Sequence, residues 1–158
     1  MGMDVYGKNA KGEAGKYFRN NVWWWHPLAG YCLLIAPTVT AKCKMWHSND
    51  GDGLGESDSL LLAALLRAEI ESGRCAKYDA EYKAHLETLP RKECDFCHGT
   101  GSKKHDGGHG DRVEEVRPCH VCSGQGSVPS FEASYPFSVE NVQGFVTFLE
   151  NCGGFEIC

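Results

Sequence analysis

Residues 94–101 read CDFCHGTG and residues 119–126 read CHVCSGQG, so the pattern C-x-x-C-x-G-x-G occurs twice within 33 residues. Two C-x-x-C pairs with 21 residues between them are typical of a tetrahedral zinc site made of four thiolates. A single pair would suit a redox motif equally well, but the duplication favours a metal. The sequence therefore predicts one Zn²⁺ ion held by Cys94, Cys97, Cys119 and Cys122.

Two glycines follow the cysteines in each of these units. Tight knuckles around a metal need main-chain conformations that residues with side chains resist, and glycine adopts them at low cost. Amides in such turns can point at the thiolates and stabilise their charge. The knuckle glycines expected to adopt these conformations are Gly99, Gly101, Gly124 and Gly126.

The predicted zinc site is structural, because four thiolates fill the coordination sphere and leave no position for a reacting water. Histidine is the other common zinc ligand. An alternative is therefore a catalytic zinc site in which His98 or His120 replaces one thiol.

Composition places the chain among small globular proteins. Its 158 residues are 42% apolar and 11% aromatic, enough for one domain with a real core. A net charge of −5 gives no general attraction to phosphate backbones. The most apolar stretch, residues 59–66, is too short to span a bilayer, and the amino terminus lacks the apolar core of a secretory signal.

Five cysteines lie outside the two knuckles. Without an export signal, cysteines are better interpreted as metal ligands and buried thiols than as disulfides, and the chain as cytoplasmic. An odd number cannot all pair within one chain. The five are Cys32, Cys43, Cys75, Cys152 and Cys158.

Patterning along the chain predicts an α+β fold in a single small domain, with a four-cysteine zinc-binding β-ribbon inserted in it or appended to it. Strands are expected at 3–6, 17–19 and 155–157. Helices are expected from the residue after Asn20 or Asn21 to 34, at 60–72 with a cap among residues 57–59, at 77–89, and at 139–151 with Ser138 as its cap. The predicted divisions are a first part of the core over 1–90, the zinc segment over 91–128, and a closing helix and strand over 129–158.

Three local expectations are specific enough to test. Asn20 or Asn21 caps a helix that has Pro27 in its first turn. The helix at 60–72 has apolar residues most of the way round, which predicts a central place in the core. Residues 102–118 are rich in glycine, histidine and charge, which predicts a mobile loop.

The knuckle pattern is similar to the cysteine-rich region of DnaJ-type co-chaperones. In that family four such units hold two zinc ions in a β-ribbon arm that contacts unfolded clients, so the two units here imply one such site. The family's His-Pro-Asp signature is absent, because His26-Pro27 continues with Leu28. The resemblance implies the metal and the knuckle geometry, and no co-chaperone activity.

The rest of the chain resembles a group of small proteins of phages and prophages. Three segments carry this resemblance: MGMDVYGK at 1–8, YFRNNVWWW at 17–25 and YPFSVENV at 135–142. The group implies a phage accessory setting, in which small proteins often bind and block host machinery. Inhibition of a bacterial defence complex, CRISPR included, fits that setting.

Candidate partner-binding residues lie in two places. Trp23, Trp24 and Trp25 are consecutive, so on a helix or a strand at least one is expected near the surface, where tryptophan is favoured as an interface anchor. The alternative is two buried rings and one half-covered ring. The second place is the zinc segment, where the cations are Lys103, Lys104 and Arg112.

These observations favour a non-enzymatic, zinc-stabilised protein that acts by binding another protein. Two alternatives remain. One is a nucleic-acid or nucleotide-binding zinc module that uses knuckle amides with the cations of the zinc segment. The other is a small enzyme whose pocket combines Asp4, Tyr6, Arg19 and His26.

Overall fold

The computed structural model describes residues 2–105 and 115–158. Its helices are α1 (Glu13–Lys16), α2 (Val22–Ile35), α3 (Pro37–Thr40), α4 (Glu56–Glu71), α5 (Arg74–Thr88) and α6 (Val139–Asn151). Its strands are β1 (Gly2–Gly7), β2 (Tyr17–Asn21), β3 (Asp52–Leu54), β4 (Lys92–Glu93), β5 (Ser102–His105), β6 (Glu115–Pro118), β7 (Ser127–Val128) and β8 (Phe155–Ile157). This mixture confirms the predicted α+β class.

The chain divides into two compact units. The first combines Met1–His85 with Tyr135–Cys158, and the second is Leu86–Ser134. None of the helices in the described ranges has both the length and the apolar character needed to cross a membrane.

An antiparallel sheet with the strand order β2-β1-β8-β3 forms the base of the first unit. Met3 and Val5 of β1 and Ile157 of β8 are buried in the hydrophobic core. Since side chains alternate across a strand, Asp4 and Tyr6 project from the opposite face. The last strand in sequence thus lies between two strands from the first third of the chain.

Helix α6 contributes two fully buried aromatic rings to the core, Phe145 and Phe148. Ser138 caps it as predicted, its hydroxyl accepting from the amide of Asn141 at 3.2 Å. Phe145 lies at the centre, 5.8 Å from the ring of Trp25 and 6.1 Å from that of Phe155. Both contacts are edge-on, a favourable arrangement for aromatic pairs.

Helix α2 begins directly after one of the two predicted caps. Asn21 is its cap, accepting from the amide of Trp24 at 3.1 Å, which confirms one of the two predicted caps. The placement of Pro27 in the first turn is wrong, because the helix begins at Val22 and Pro27 lies inside it. A proline there removes only the hydrogen bond to the carbonyl of Trp23, a loss that the capped first turn and the buried face of α2 tolerate.

Helix α4 also departs from expectation. It begins at Glu56 with Gly55 before it, so the predicted cap among residues 57–59 is wrong. Only one face is buried, through Ser59, Leu62, Ala63 and Leu66. A second set of apolar residues is exposed: Leu60, Leu61, Ala64, Leu65 and Ala68. The helix is therefore peripheral with an apolar outer face, and not central to the core.

The turn between α3 and β3 is organised by Asp52. Its Oδ2 accepts from the amides of Lys44 at 2.6 Å and Met45 at 2.9 Å. These bonds, the one from Lys44 foremost, hold the pKa of Asp52 below its usual range against the opposing effect of burial. A single carboxylate thus fixes a segment whose sequence carries no clear helix or strand pattern.

The second unit contains two short ribbons, β4 with β7 and β5 with β6. The predicted loop at 102–118 is wrong at both ends, because Ser102–His105 and Glu115–Pro118 pair with each other. Strands this short show little periodicity, so the loop-like composition of the segment led to the wrong prediction. The middle of the predicted loop, with the candidate Arg112, lies outside the described residues.

Candidate metal centre

The four knuckle cysteines converge on one point in the second unit. All are buried, and their Sγ atoms lie within 4.8 Å of one another. Cys94 and Cys119 bring their Sγ atoms to 3.9 Å, and Cys97 and Cys122 to 3.7 Å. Within the described ranges this is the one group of three or more cysteine, histidine or acidic residues with metal-binding geometry.

These separations fit a tetrahedral ion. With metal–sulfur bonds of about 2.3 Å, the corners of a tetrahedron are about 3.8 Å apart. Two of the six sulfur–sulfur distances differ from that value by about 0.1 Å, and all six are within 4.8 Å. The donor set is four soft sulfur atoms, which selects zinc or another thiophilic ion over magnesium or calcium.

Main-chain amides complete the surroundings of the thiols. The amide of Gly101 donates to Sγ of Cys97 at 3.3 Å, and the amide of Gly126 donates to Sγ of Cys122 at 3.2 Å. These equivalent bonds show that the two knuckles have the same local geometry. Hydrogen bonds of this kind stabilise a ligating thiolate and orient it.

The knuckle glycines are required by conformation and by space. Gly99, Gly101, Gly124 and Gly126 have φ values between 72° and 81°, a region that side-chain-bearing residues rarely adopt. A Cβ on Gly101 would lie 2.4 Å from the carbonyl oxygen of Gly124, and one on Gly126 would lie 2.3 Å from that of Gly99. Both obstacles are main chain, so neither can move aside.

The surroundings of the cluster shift the pKa values of two of its thiols in opposite directions. Burial raises the pKa of Cys122, but the amide of Gly126 and the neighbouring thiols outweigh it and lower that pKa to about 7. At Cys94, main-chain amides favour the thiolate, but burial and the neighbouring thiols Cys97 and Cys119 raise the pKa to about 11. Four thiolates at this distance need a cation among them.

Neither histidine of the alternative zinc site joins the cluster. His98 is exposed with a φ of 50°, and His120 is exposed with its ring 4.7 Å from that of Phe96. The four thiol sulfurs already supply the complete coordination sphere. This arrangement favours the structural form of the site over the catalytic one.

Cations of the zinc segment lie on the β5–β6 ribbon. Lys103 places its Nζ 4.0 Å from the ring centre of Phe96 and donates to the Phe96 carbonyl at 2.7 Å. Lys103 is directly opposite Arg117 in the ladder, and Lys104 is exposed on the same strand. Arg117 is a cation that the sequence analysis did not single out.

The tryptophan triplet divides between core and surface. Trp25 is fully buried, and its indole N–H donates to the carbonyl of Trp46 at 2.6 Å. Trp23 and Trp24 are partly exposed, and the ring of Trp23 is 4.9 Å from that of Tyr135. Consecutive residues on α2 point about 100° apart, and the expectation of at least one ring near the surface is confirmed. The alternative of two buried rings is wrong, because only Trp25 is buried.

Four of the spare cysteines are buried thiols, and Cys158 is exposed. Burial is the first cause that raises the pKa of Cys43, to about 11, with the carboxylate of Asp52 adding to it. Burial likewise raises the pKa of Cys32, Cys75 and Cys152. Protonated, buried thiols behave as small apolar side chains and are poor nucleophiles.

The four residues of the predicted enzyme pocket do not converge. Asp4, Tyr6 and Arg19 lie on the exposed face of the sheet, where Arg19 Nε is 3.5 Å from the carboxylate of Asp4. His26 instead packs its ring 4.4 Å from that of His47. The antiparallel pairing of β1 with β2 brings the first three together, and these are the strands predicted at 3–6 and 17–19.

Comparison with known proteins gives no match to a family model, to a curated protein or to a solved structure.

Proposed function

We propose that the chain is a zinc-stabilised protein that acts by binding a protein partner. The four-thiol cluster carries the first half of this proposal. Its sulfur separations suit a tetrahedral ion, and its complete donor set leaves no position for substrate. One Zn²⁺ ion then serves to hold the two knuckles, and the ribbon that they support, in a fixed arrangement.

Measuring the zinc content of the protein tests the proposed metal site directly. The purified protein should contain one zinc per chain by elemental mass spectrometry. Cys119→Ser should lose most of it to a competing chelator, because three thiolates with water in the fourth position bind zinc more weakly than four thiolates. Cys158→Ser, which changes an exposed cysteine in the other unit, is the matched control and should keep it. Zinc retained in full by Cys119→Ser would contradict the assignment.

The outer face of α4 supports the protein-binding half. Leu61, Ala64, Leu65 and Ala68 are all exposed and recur at intervals of three and four residues. Leu61 is 48% exposed and Leu65 is 37% exposed. An exposed apolar stripe with helical spacing is the form of surface that packs against another protein. Covering this stripe with a partner would remove apolar surface from water, which is favourable.

The resemblance to small phage and prophage proteins supports the biological setting. We infer that the chain is a phage accessory protein that works in the host cytoplasm and inhibits a host complex, with a defence complex such as a CRISPR effector as the target. The described residues contain no assembled reaction site. A small protein of this kind is suited to inhibit a complex by covering one of its binding surfaces.

An affinity capture from bacterial lysate tests this function. We expect tagged protein to retain a stoichiometric protein partner after nuclease treatment. A Leu61→Gln/Leu65→Gln variant should lose that partner, since two glutamines leave the stripe polar. The control is Val116→Gln, which changes a more exposed apolar residue in the other unit. Retention by the double variant, with folding intact, would reject the α4 surface.

A second candidate is nucleic-acid binding by the zinc segment. The exposed ring of Phe96 could stack on a base, and Lys103 and Arg117 are adjacent cations on the ribbon. A gel shift with single-stranded oligonucleotides, repeated at rising salt, distinguishes the two functions. Phosphate contacts predict binding that weakens steeply with salt. Loss of every captured partner on nuclease treatment would also favour this candidate.

A further inference from the structure

The exposed face of the β2-β1-β8-β3 sheet carries a pair of tyrosines. Tyr6 and Tyr17 lie opposite each other in the β1–β2 ladder, with ring centres 5.0 Å apart. They are 44% and 42% exposed. Two large aromatic rings side by side on a sheet face are notable, because no element of the described chain packs over them.

One carboxylate beside these rings is already neutralised. Asp4 accepts a short hydrogen bond from the hydroxyl of Tyr17, and its Oδ1 is 3.5 Å from Nε of Arg19. The hydrogen bond to Asp4 is the main reason that the pKa of Tyr17 is raised. This cluster is satisfied within the protein and has no need of a ligand.

A second carboxylate, that of Glu156, is not neutralised. Glu156 lies directly opposite Tyr6 in the β1–β8 ladder and is partly buried. Within residues 2–105 and 115–158 it has neither an ion pair nor a side-chain hydrogen bond. A carboxylate partly withdrawn from water and without a counter-charge is stabilised by any cation that reaches it.

The other neighbour of Glu156 leaves it accessible. Glu156 is paired on its second side with Gly53 of β3. A Cβ on Gly53 would lie 1.9 Å from the carbonyl oxygen of Phe155, so the close approach of the two strands requires glycine. No side chain from this position can therefore shield the carboxylate. Glu156 is flanked by an aromatic ring on one side and bare main chain on the other.

We propose that Tyr6 and Glu156 bind the guanidinium group of an arginine on a partner protein. A guanidinium is planar, stacks on aromatic rings and forms paired hydrogen bonds with a carboxylate. Tyr6 supplies the ring and Glu156 the carboxylate, on adjacent strands. The choice of a protein as the source of the arginine rests on the proposed function, whereas the recognition chemistry rests on the sheet face alone.

The test is an NMR titration of the full chain with N-acetyl-L-argininamide. We expect saturable shifts of the amides of Tyr6, Gly53 and Glu156 at millimolar probe. N-acetyl-L-citrullinamide has nearly the same shape without the charge and should bind at least about threefold more weakly. Equal shifts with both probes, or no saturable shift at these amides, would overturn the proposal.

Variants locate the effect on the two side chains. Glu156→Gln and Tyr6→Leu should each weaken argininamide binding by about threefold or more, since each removes one of the two interactions. Glu71→Gln removes the same charge from an exposed position on α4 and should change nothing. An undisturbed spectrum elsewhere shows that each variant is folded. Full binding by Glu156→Gln would reject the site.

The outcomes separate this inference from the proposed function. The probe measures the sheet face by itself, so a negative titration leaves a nuclease-resistant partner in the lysate capture intact. A positive titration with no captured protein would retain the arginine site and reject the protein-binding function. If an oligothymidylate, and not argininamide, shifts the same amides, the surface binds nucleic acid and the arginine proposal fails.

Discussion

The amide of Cys94 donates a 2.9 Å hydrogen bond to the carbonyl of Gly126, which belongs to the other knuckle. An equivalent hydrogen bond runs in the other direction, from the amide of Cys119 in the second knuckle to the carbonyl of Gly101 in the first, at 2.8 Å. The two knuckles therefore support each other through main-chain hydrogen bonds as well as through four sulfurs. Removing the metal and removing a glycine test these two contributions separately.

Zinc removal should unfold the second unit. Binding at structural zinc sites contributes about 10–16 kcal/mol in zinc-finger peptides, more than the total stability of many domains. After chelation we expect the amides of Cys94 and Cys119 to lose their protection from hydrogen exchange, with Val5 of β1 as an internal reference. Unchanged exchange across Leu86–Ser134 would contradict a structural role for the metal.

Alanine at either interlocking glycine should weaken the zinc site. Gly101→Ala and Gly126→Ala each place a Cβ within 2.4 Å of a main-chain oxygen and force a residue with a side chain to a positive φ, which costs at least about 1–2 kcal/mol. Release of zinc to a chromogenic chelator should be faster in both variants. Gly30→Ala is the control, because its Cβ meets no atom within 4 Å.

The Gly30 control has an expected sign of its own. Gly30 is an exposed residue inside α2, where alanine is favoured over glycine by about 0.5–1 kcal/mol. Urea unfolding should therefore show a slight gain in stability, with zinc release unchanged. Faster zinc release from Gly30→Ala would mean that the assay reports general destabilisation and not the knuckle.

Trp24 and Trp25 should differ sharply when replaced by alanine. Trp25→Ala empties a fully buried site and leaves the carbonyl of Trp46 without its donor, so a loss of about 3–5 kcal/mol is expected in urea unfolding. Trp24→Ala changes a partly exposed ring and should cost far less. Unchanged partner capture by a folded Trp24→Ala would exclude Trp24 as an interface anchor.

The stability supplied by Asp52 should depend on pH. Its pKa is lower in the folded protein than the value of about 3.9 expected for an unfolded chain. The contribution is therefore complete above pH 3.9 and is lost as the pH falls through the folded pKa. Asp52→Asn should be less stable than the parent protein at neutral pH, and the two unfolding curves should converge in acid. A constant difference would contradict this assignment.

Local sequence signals predicted the features that depend on near neighbours. The positions of the four cysteines follow from spacing, because each knuckle is built within eight residues. Ser138 was correctly identified as a cap, since a cap bonds to an amide three residues away. Asn21 is the same case at α2.

Features that depend on distant pairing were not predictable in this way. The hydrophobic pattern of α4 does not say which leucines are covered, because that depends on where α6 and the sheet are placed. Glu156 becomes a neighbour of Tyr6 only when β8 pairs with β1, 150 residues away in sequence. A ribbon was predicted for the zinc segment, but the positions of β5 and β6 were not, because strands of four residues are too short to show a periodic pattern.

The position of β8 between β1 and β3 has a consequence for the order of folding during synthesis. The second unit is one uninterrupted segment, and its synthesis is finished before that of β8 begins. The first unit cannot complete its sheet until β8 emerges, and contacts of such long sequence separation form slowly. The second unit therefore needs no residue later in the sequence than Ser134, whereas the sheet of the first unit cannot close before the last strand is made.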